Sequence, residues 1–173
     1  MLENQYIRLR AVEPEDLEQL YKWENNPDYW YAGEARTPYS RYTLKQYILS
    51  ADKDIYENKQ VRFMIDVKQS GETVGTIDLF DYDVFNSRIA VGLLVDKPHQ
   101  GNDFATLSLE LLKEYVFDFL KINQLYAFVA ENNEPSKHLF EKCNFRKTAS
   151  LEKWIKQGDE FVDMAVYQCF ENK

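Results

Sequence analysis

The chain reads Leu93-Leu94-Val95-Asp96-Lys97-Pro98-His99-Gln100-Gly101-Asn102-Asp103-Phe104-Ala105, an apolar strand running into a polar, Gly-containing turn and then into a long amphipathic helix. The first backbone N–H groups of a helix lack intrahelical partners and carry partial positive charge, so a turn of this composition can hold a phosphate group. Alone the signal is weak, because strand–turn–helix units are common and one glycine also suits a plain connection. A second segment strengthens it. The strand Gln124-Leu125-Tyr126-Ala127-Phe128-Val129-Ala130 leads into Glu131-Asn132-Asn133-Glu134-Pro135-Ser136-Lys137-His138-Leu139-Phe140-Glu141-Lys142-Cys143-Asn144-Phe145. Here Asn133 is placed to cap a Pro135–Cys143 helix, with Pro135 near its start, where a missing N–H is harmless.

Outward from these segments, Val61–Lys68 and Thr73–Phe80 alternate apolar and polar residues as strands joined by the Gln69-Ser70-Gly71-Glu72 turn. Arg88–Val95 follows the polar loop Asp81–Ser87 as a third strand, giving an antiparallel meander. The helix Phe104–Leu120 places Leu109, Leu112, Val116 and Phe119 on one buried stripe. Upstream, Tyr6–Arg10 reads as a strand. Pro14, Leu17, Leu20, Tyr21 and Trp23 mark a helix that ends near Asn25-Asn26-Pro27. Asp28–Tyr39 reads as a loop or short helical turn rich in Tyr and Trp, before a helix around Tyr42–Leu49. Phe145–Ile155 and Glu160–Phe170, joined by Gln157-Gly158-Asp159, close the chain as a hairpin. This order predicts one α+β domain over residues 1–173, a mixed, mostly antiparallel sheet flanked by helices. The length and the 45% hydrophobic content suit a single core.

The two motifs, in this order, resemble the GNAT family of acetyl-CoA-dependent N-acetyltransferases, in particular the branch of spermidine and ribosomal-protein N-terminal acetyltransferases. The resemblance spans most of the chain and is strongest from Val61 to Phe145. It implies a GNAT-like fold. In that family a Gln/Arg-x-x-Gly-x-Gly/Ala turn wraps the CoA pyrophosphate, which falls here on Gln100, Gly101, Asn102, Asp103, Phe104 and Ala105. An Asn-x-x-Ser/Ala helix flanks the pantetheine and thioester, implicating Asn133, Ser136 and Phe140; Asn133 and Ser136 also read as cap residues. Leu93, Leu94 and Val95 are implied to lie beside the pantetheine, where a splayed strand end leaves backbone N–H groups to polarise the thioester carbonyl.

Four features depart from the family pattern. Asp103 and Asn144 stand where glycine is usual. A carboxylate about 4 Å from a phosphate costs on the order of 4 kcal/mol at an effective dielectric near 20, unless Asp103 turns outward as a helix-start residue. Phe140 replaces the Tyr that protonates the departing thiolate in spermidine-acetylating relatives, and reads as a packing residue. Arg88-Ile89-Ala90-Val91-Gly92 lacks the Glu that many members use as a base. Asp78, Asp81 and Asp83 are therefore the candidates to take the amine proton or bind the amine, though each also reads as a solvated strand end. Tyr29, Trp30, Tyr31 and Glu34 are candidates for a cation-binding wall, or simply cover the core. His99 and His138 read as solvated, His99 being within reach of a phosphate. A rival reading of the four departures together is an acyl-CoA-binding or regulatory domain that has lost catalysis.

The formal charge of −8 argues against a nucleic-acid partner and suits a cationic acceptor such as a polyamine or a peptide N-terminus. Cys143 and Cys169 lie in apolar contexts at unrelated spacing, as buried reduced thiols would, and no metal is implied. No apolar run approaches the roughly 20 residues of a membrane span, and Met1-Leu2-Glu3-Asn4 opens no signal peptide, so the expectation is a soluble cytoplasmic protein. A homodimer through terminal strands is one assembly the resemblance allows.

Overall fold

A computed structural model describes residues 2–30, 37–51 and 53–171. Its elements run β1 (Ile7–Ala11), α1 (Leu17–Glu24), α2 (Pro27–Trp30), α3 (Arg41–Ser50), α4 (Ile55–Asn58), β2 (Val61–Val67), β3 (Thr73–Asp83) and β4 (Arg88–Val95). There follow α5 (Phe104–Glu114), β5 (Gln124–Ala130), α6 (Glu134–Lys142), β6 (Arg146–Gln157) and β7 (Glu160–Phe170). The strands form one seven-stranded sheet in the order β1-β2-β3-β4-β5-β7-β6. All neighbouring pairs are antiparallel except β4 and β5, which run parallel and pair only from Arg88–Ala90 to Gln124–Tyr126. Beyond Ala90, β4 stays on β3, through Leu93↔Ile77, Leu94↔Thr76 and Gly75↔Val95, and parts from β5.

Burial explains the strand sequences. On β2, Phe63 and Ile65 pack into the core beneath α5, whereas Met64 faces the second core of Leu20, Trp23, Leu44 and Ile48 from α1 and α3. A strand covered on both faces reads as a near-continuous apolar run. On β7, by contrast, Ala165, Tyr167 and Cys169 are buried and alternate with half-exposed residues, and the edge strand β6 is largely exposed. Gly75 is dictated by a close approach: a Cβ there would lie 2.1 Å from the Leu94 carbonyl oxygen.

Three expectations are corrected. Phe119 is 60% exposed rather than part of the buried stripe. Residues Tyr115–Phe119 form a π turn, closed by Leu120 N–H to the Tyr115 carbonyl at 3.0 Å, and the wider turn swings Phe119 out to stack on Tyr115. Asp81–Asp83 continue β3 instead of opening a loop, because Asp81 takes a positive φ of 52° at a bulge and Asp83 rejoins the ladder opposite Arg88. The short helix α4, capped by the Asp54 carboxylate, had no apolar periodicity to reveal it. Asn133 caps α6 through Ser136 N–H at 3.2 Å, as expected, and Asn144 ends it at φ 65°, a left-handed position asparagine tolerates. Both cysteines are buried free thiols, and burial followed by the nearby Glu110 pushes the Cys143 thiol up to about 12.

Arg10 ties the N-terminal strand to its surroundings, donating to both oxygens of Asp16 at 2.7 and 2.9 Å and to Asp66 at 2.6 Å. Burial opposes ionisation of Asp16, yet the Arg10 guanidinium and the Glu13 N–H hold its carboxyl below the usual range. Such a group stabilises the fold above its unfolded value, near 4, and ceases to do so as pH falls through its lower folded value. The Asp16→Asn variant is therefore expected to lose about 1–3 kcal/mol at pH 7, and its gap to the parent in urea unfolding narrows towards pH 3. Gly75→Ala is expected to cost about 1–3 kcal/mol by forcing β3 and β4 apart, read as a lowered urea midpoint.

Candidate active site

Where β4 parts from β5, a cleft of about 540 Å³ opens between the end of β4, the start of α5 and one flank of α6. Leu93, Leu94, Val95, Gln100, Gly101, Asp103, Phe104, Ala105, Asn133 and Ser136 all line it, together with Lys97, Thr106, Leu139 and Lys142. The Gln100 amide folds back onto the Val95 carbonyl at 2.9 Å, closing the turn, and Gly101 takes a φ of +83° that side chains rarely adopt. The first backbone bond into α5 runs from Leu107 N–H to the Asp103 carbonyl at 2.9 Å, leaving the N–H groups of Phe104, Ala105 and Thr106 without intrahelical partners. Such a terminus suits a phosphate, and the unpaired edge of β4 suits an amide-bearing chain, so the cleft fits a coenzyme of the CoA type.

Two expected cofactor residues are not brought to this cleft. Asn102 spends its amide within the turn, on the His99 carbonyl at 3.0 Å. Phe140 is 4% exposed and packs among Phe145 and Tyr167, with ring centroids 5.0 and 6.1 Å away. At 100° per residue, α6 turns Pro135, His138, Leu139 and Lys142 to the cleft and Phe140 to the core. Asp103 forms no side-chain cap. Its φ of 59° sends the carboxylate outward to Lys142 Nζ at 2.8 Å, and Lys142 holds it below its usual range. His99 faces Glu72 at 3.3 Å, and His138 is exposed on the cleft.

A second cavity, of about 460 Å³, lies on the α1–α2 side of β4 and shares Tyr29, Leu93 and Leu94 with the first. Its walls are aromatic, from Trp23, Tyr29, Trp30, Tyr39 and Tyr47, and its charged groups are Glu24, Arg62, Asp78 and Asp81. Arg62 donates a fork to Asp78 at 2.7 and 2.9 Å and a third bond to Glu24, with the Tyr47 ring 5.5 Å from its guanidinium carbon. Burial disfavours the guanidinium charge, but Asp78 and Glu24 more than restore it. Asp81 makes no hydrogen bond or ion pair with any described residue. Asp83 is not in the cavity: it binds Asn86 and pairs with Arg88 at 3.1 Å. Gly92 lines the cavity without a side chain, and a Cβ there would come 3.3 Å from the Phe80 ring. Trp30 is fixed by its indole N–H to the Glu24 carbonyl at 2.8 Å. Tyr31 and Glu34 lie outside the described residues. Glu24 and Arg62 escaped the sequence reading because neither belongs to a motif; only folding brings the end of α1 against β2. Among the described residues, no group of three or more His, Cys, Asp or Glu is placed to hold a metal ion.

The profile of the family described as "Acetyltransferase (GNAT) domain" matches residues 7–146. The chain belongs to the GNAT acetyltransferase family. It is 27% identical over 148 residues to spermidine N(1)-acetyltransferase of Escherichia coli strain K12, a match covering 84% of this chain and 75% of that one. It is 26% identical over 151 residues to the Vibrio cholerae enzyme of the same name, covering 86% and 83%. In structure it matches the spermidine N-acetyltransferase from Vibrio cholerae in complex with CoA and spermine with a TM-score of 0.86, at 23% identity and over 97% of each chain, which establishes a common fold. The α+β GNAT architecture expected from the sequence is thus the one observed. The carboxylate that stands in place of the family's glycine is already paired and mostly solvated, so its repulsion of a phosphate is well screened. Replacing it, as Asp103→Gly, relieves a left-handed backbone but little repulsion; CoA affinity is expected to stay within about twofold of the parent in a calorimetric titration, with no loss of thermal stability.

Proposed function

We propose that this GNAT-family chain transfers the acetyl group of acetyl-CoA to a primary amine of a polyamine such as spermidine, by direct attack at the junction of its two cavities. The observation that carries this reading is the adjacency itself: an anion-suited cleft and an acidic, aromatic-walled cavity share Leu93 and Leu94 on one strand. Three carboxylates, Glu24, Asp78 and Asp81, stand against one guanidinium there, an imbalance that a bound ammonium group relieves. The names of the curated relatives point to the same chemistry, and no observation favours a non-catalytic domain.

In this reading acetyl-CoA supplies the thioester, and the chain supplies position and charge. An alkyl amine with a pKa near 10 is only about 0.1% neutral at pH 7, so its proton must first be removed. Asp78 is committed at both oxygens to Arg62 and serves to hold charge in place. Asp81, without a partner among the described residues and exposed at the rim, is the group we assign to pass the proton to solvent. Nitrogen then bonds to the carbonyl carbon as the carbon–sulfur bond breaks, and the second amine proton goes to sulfur. A thiol with a pKa near 8.5 leaves without a dedicated acid, and none is required of Phe140, which lies in the core. Backbone N–H groups on the free edge of β4 are placed to polarise the carbonyl.

We read the activity as cytoplasmic, where acetyl-CoA is available; among the described residues no helix is long and apolar enough to cross a membrane. The exposed edge strand β6 offers a surface for self-association, and one solved neighbour is titled as a dodecameric spermidine N-acetyltransferase from Vibrio cholerae. The direct test is thiol release from acetyl-CoA with spermidine, spermine or a peptide bearing a free N-terminus as acceptor. Turnover is expected with the polyamines. Glu24→Gln should raise the polyamine KM by about tenfold, the weight of one charge-assisted contact, whereas Asp81→Asn, which removes the assigned proton acceptor, should lower kcat by about a hundredfold. CoA binding without turnover of any polyamine would overturn the assignment.

A further inference from the structure

Tyr29 is the only side chain from the α1–α2 region among the described residues, apart from the exposed Asp28, that reaches the coenzyme cleft, and Tyr29 alone of the two lines both cavities. Its ring packs against the core formed by Trp23, Leu20 and Met64, beside Leu94. Its hydroxyl is committed to the turn after β4: it donates to Asp96 Oδ1 at 2.7 Å and accepts from the Lys97 backbone N–H at 3.0 Å. Asp96 and Lys97 are the residues at which β4 turns towards the phosphate-suited helix start. The Lys97 ammonium adds a solvent-exposed pair with Asp28 at 3.3 Å. The Trp23 indole N–H, buried and without a hydrogen-bond partner among the described residues, bears on the Asp96 carboxylate but does not reach it. The short helix α2 is therefore fastened to the end of β4 by two of its own side chains, the exposed Asp28 and the part-buried Tyr29, and the Tyr29 ring borders both cavities.

We propose that Tyr29 couples the two binding events, so that the coenzyme and the polyamine each tighten the other; this rests on the functional reading of the two cavities given above. Tyr29 is a positioning residue in this scheme, since its hydroxyl acts through Asp96 and Lys97. A ligand in the coenzyme cleft rests on the turn that holds the hydroxyl and on one side of the ring. It thereby fixes the wall that the polyamine must meet, and the second ligand has less ordering left to do. Coupling of this kind is reciprocal by thermodynamic necessity.

The test is a calorimetric titration of CoA into the whole protein, without and with saturating spermine, for the parent chain, Tyr29→Phe and Asp96→Asn. The readout is the ratio of the two CoA dissociation constants within each protein, which does not depend on how each variant alters affinity as such. The parent is expected to show a ratio of about five or more, matched by the same factor for spermine when CoA is already bound. Tyr29→Phe keeps the ring and removes only the hydroxyl, and its ratio is expected to fall to about one; Asp96→Asn is expected to do the same from the other partner. If CoA and spermine both bind the parent with no mutual effect, or if both variants keep the parent's ratio, the coupling is overturned while the acetyltransferase reading stands. If the parent binds one ligand and not the other, the functional reading fails and the coupling falls with it.

Discussion

Parallel pairing between β4 and β5 lasts for three residues and then stops, and nearly everything of functional interest depends on that parting. Backbone donors and acceptors on a buried strand must be satisfied, and an internal strand normally satisfies them on both sides. Past Ala90, β4 has its β3 partner and nothing comparable opposite. The helix start at Phe104 and the capped start of α6 face into the same gap, so one opening gathers free peptide groups and two helix N-termini. The antiparallel meander on one side and the β5-β7-β6 half on the other flank the gap, each held together by its own antiparallel pairing.

Charge is organised on a smaller scale than the overall −8 suggests. A strongly acidic chain repels a polyanionic coenzyme at a distance, but within a Debye length of about 8 Å local groups decide. Around the cleft, Lys97, Lys142 and the helix start offset Asp28 and Asp103; around the second cavity, Arg62 is outnumbered. Burying a lone arginine would be costly, and its fork on Asp78 with a further bond to Glu24 is what makes the position tenable. The same guanidinium fixes the rotamers of two carboxylates, so that part of the cavity is preformed.

Periodicity and turn chemistry made most of the fold legible. Gln69-Ser70-Gly71-Glu72, the Gly158 turn and the alternation on β2, β3, β4, β5 and β7 placed the strands, and Asn133 announced α6 through its cap. What the sequence hid were departures from regular geometry. A heptad-like stripe assigns Phe119 to the core only if every turn is α-helical, and one π turn is enough to reverse that. Asp81 reads as loop because it opens the polar run to Ser87, whereas its positive φ makes a bulge within β3. The coenzyme cleft was largely visible because it is built from two contiguous segments. The acceptor cavity was only partly visible: Asp78, Asp81, Tyr29 and Trp30 were candidates, but Glu24 and Arg62 are joined across 38 residues of sequence and carry no local signature. Phe140 shows the complementary limit, since a motif position names a residue without saying which flank of its helix faces the ligand.

Gly75 lines neither cavity, and it gives the Leu94 carbonyl the room it occupies. Leu94 in turn borders both cavities. The outline of the junction is thus set partly by a hydrogen atom on the neighbouring strand, one layer removed from any ligand. Libraries that randomise only the lining residues, in search of a new acceptor, would keep this dimension of the site constant without knowing it. Compensated changes at Gly75 and its β4 neighbours are the route by which the fold could reshape the junction while leaving every cavity-facing side chain as it is.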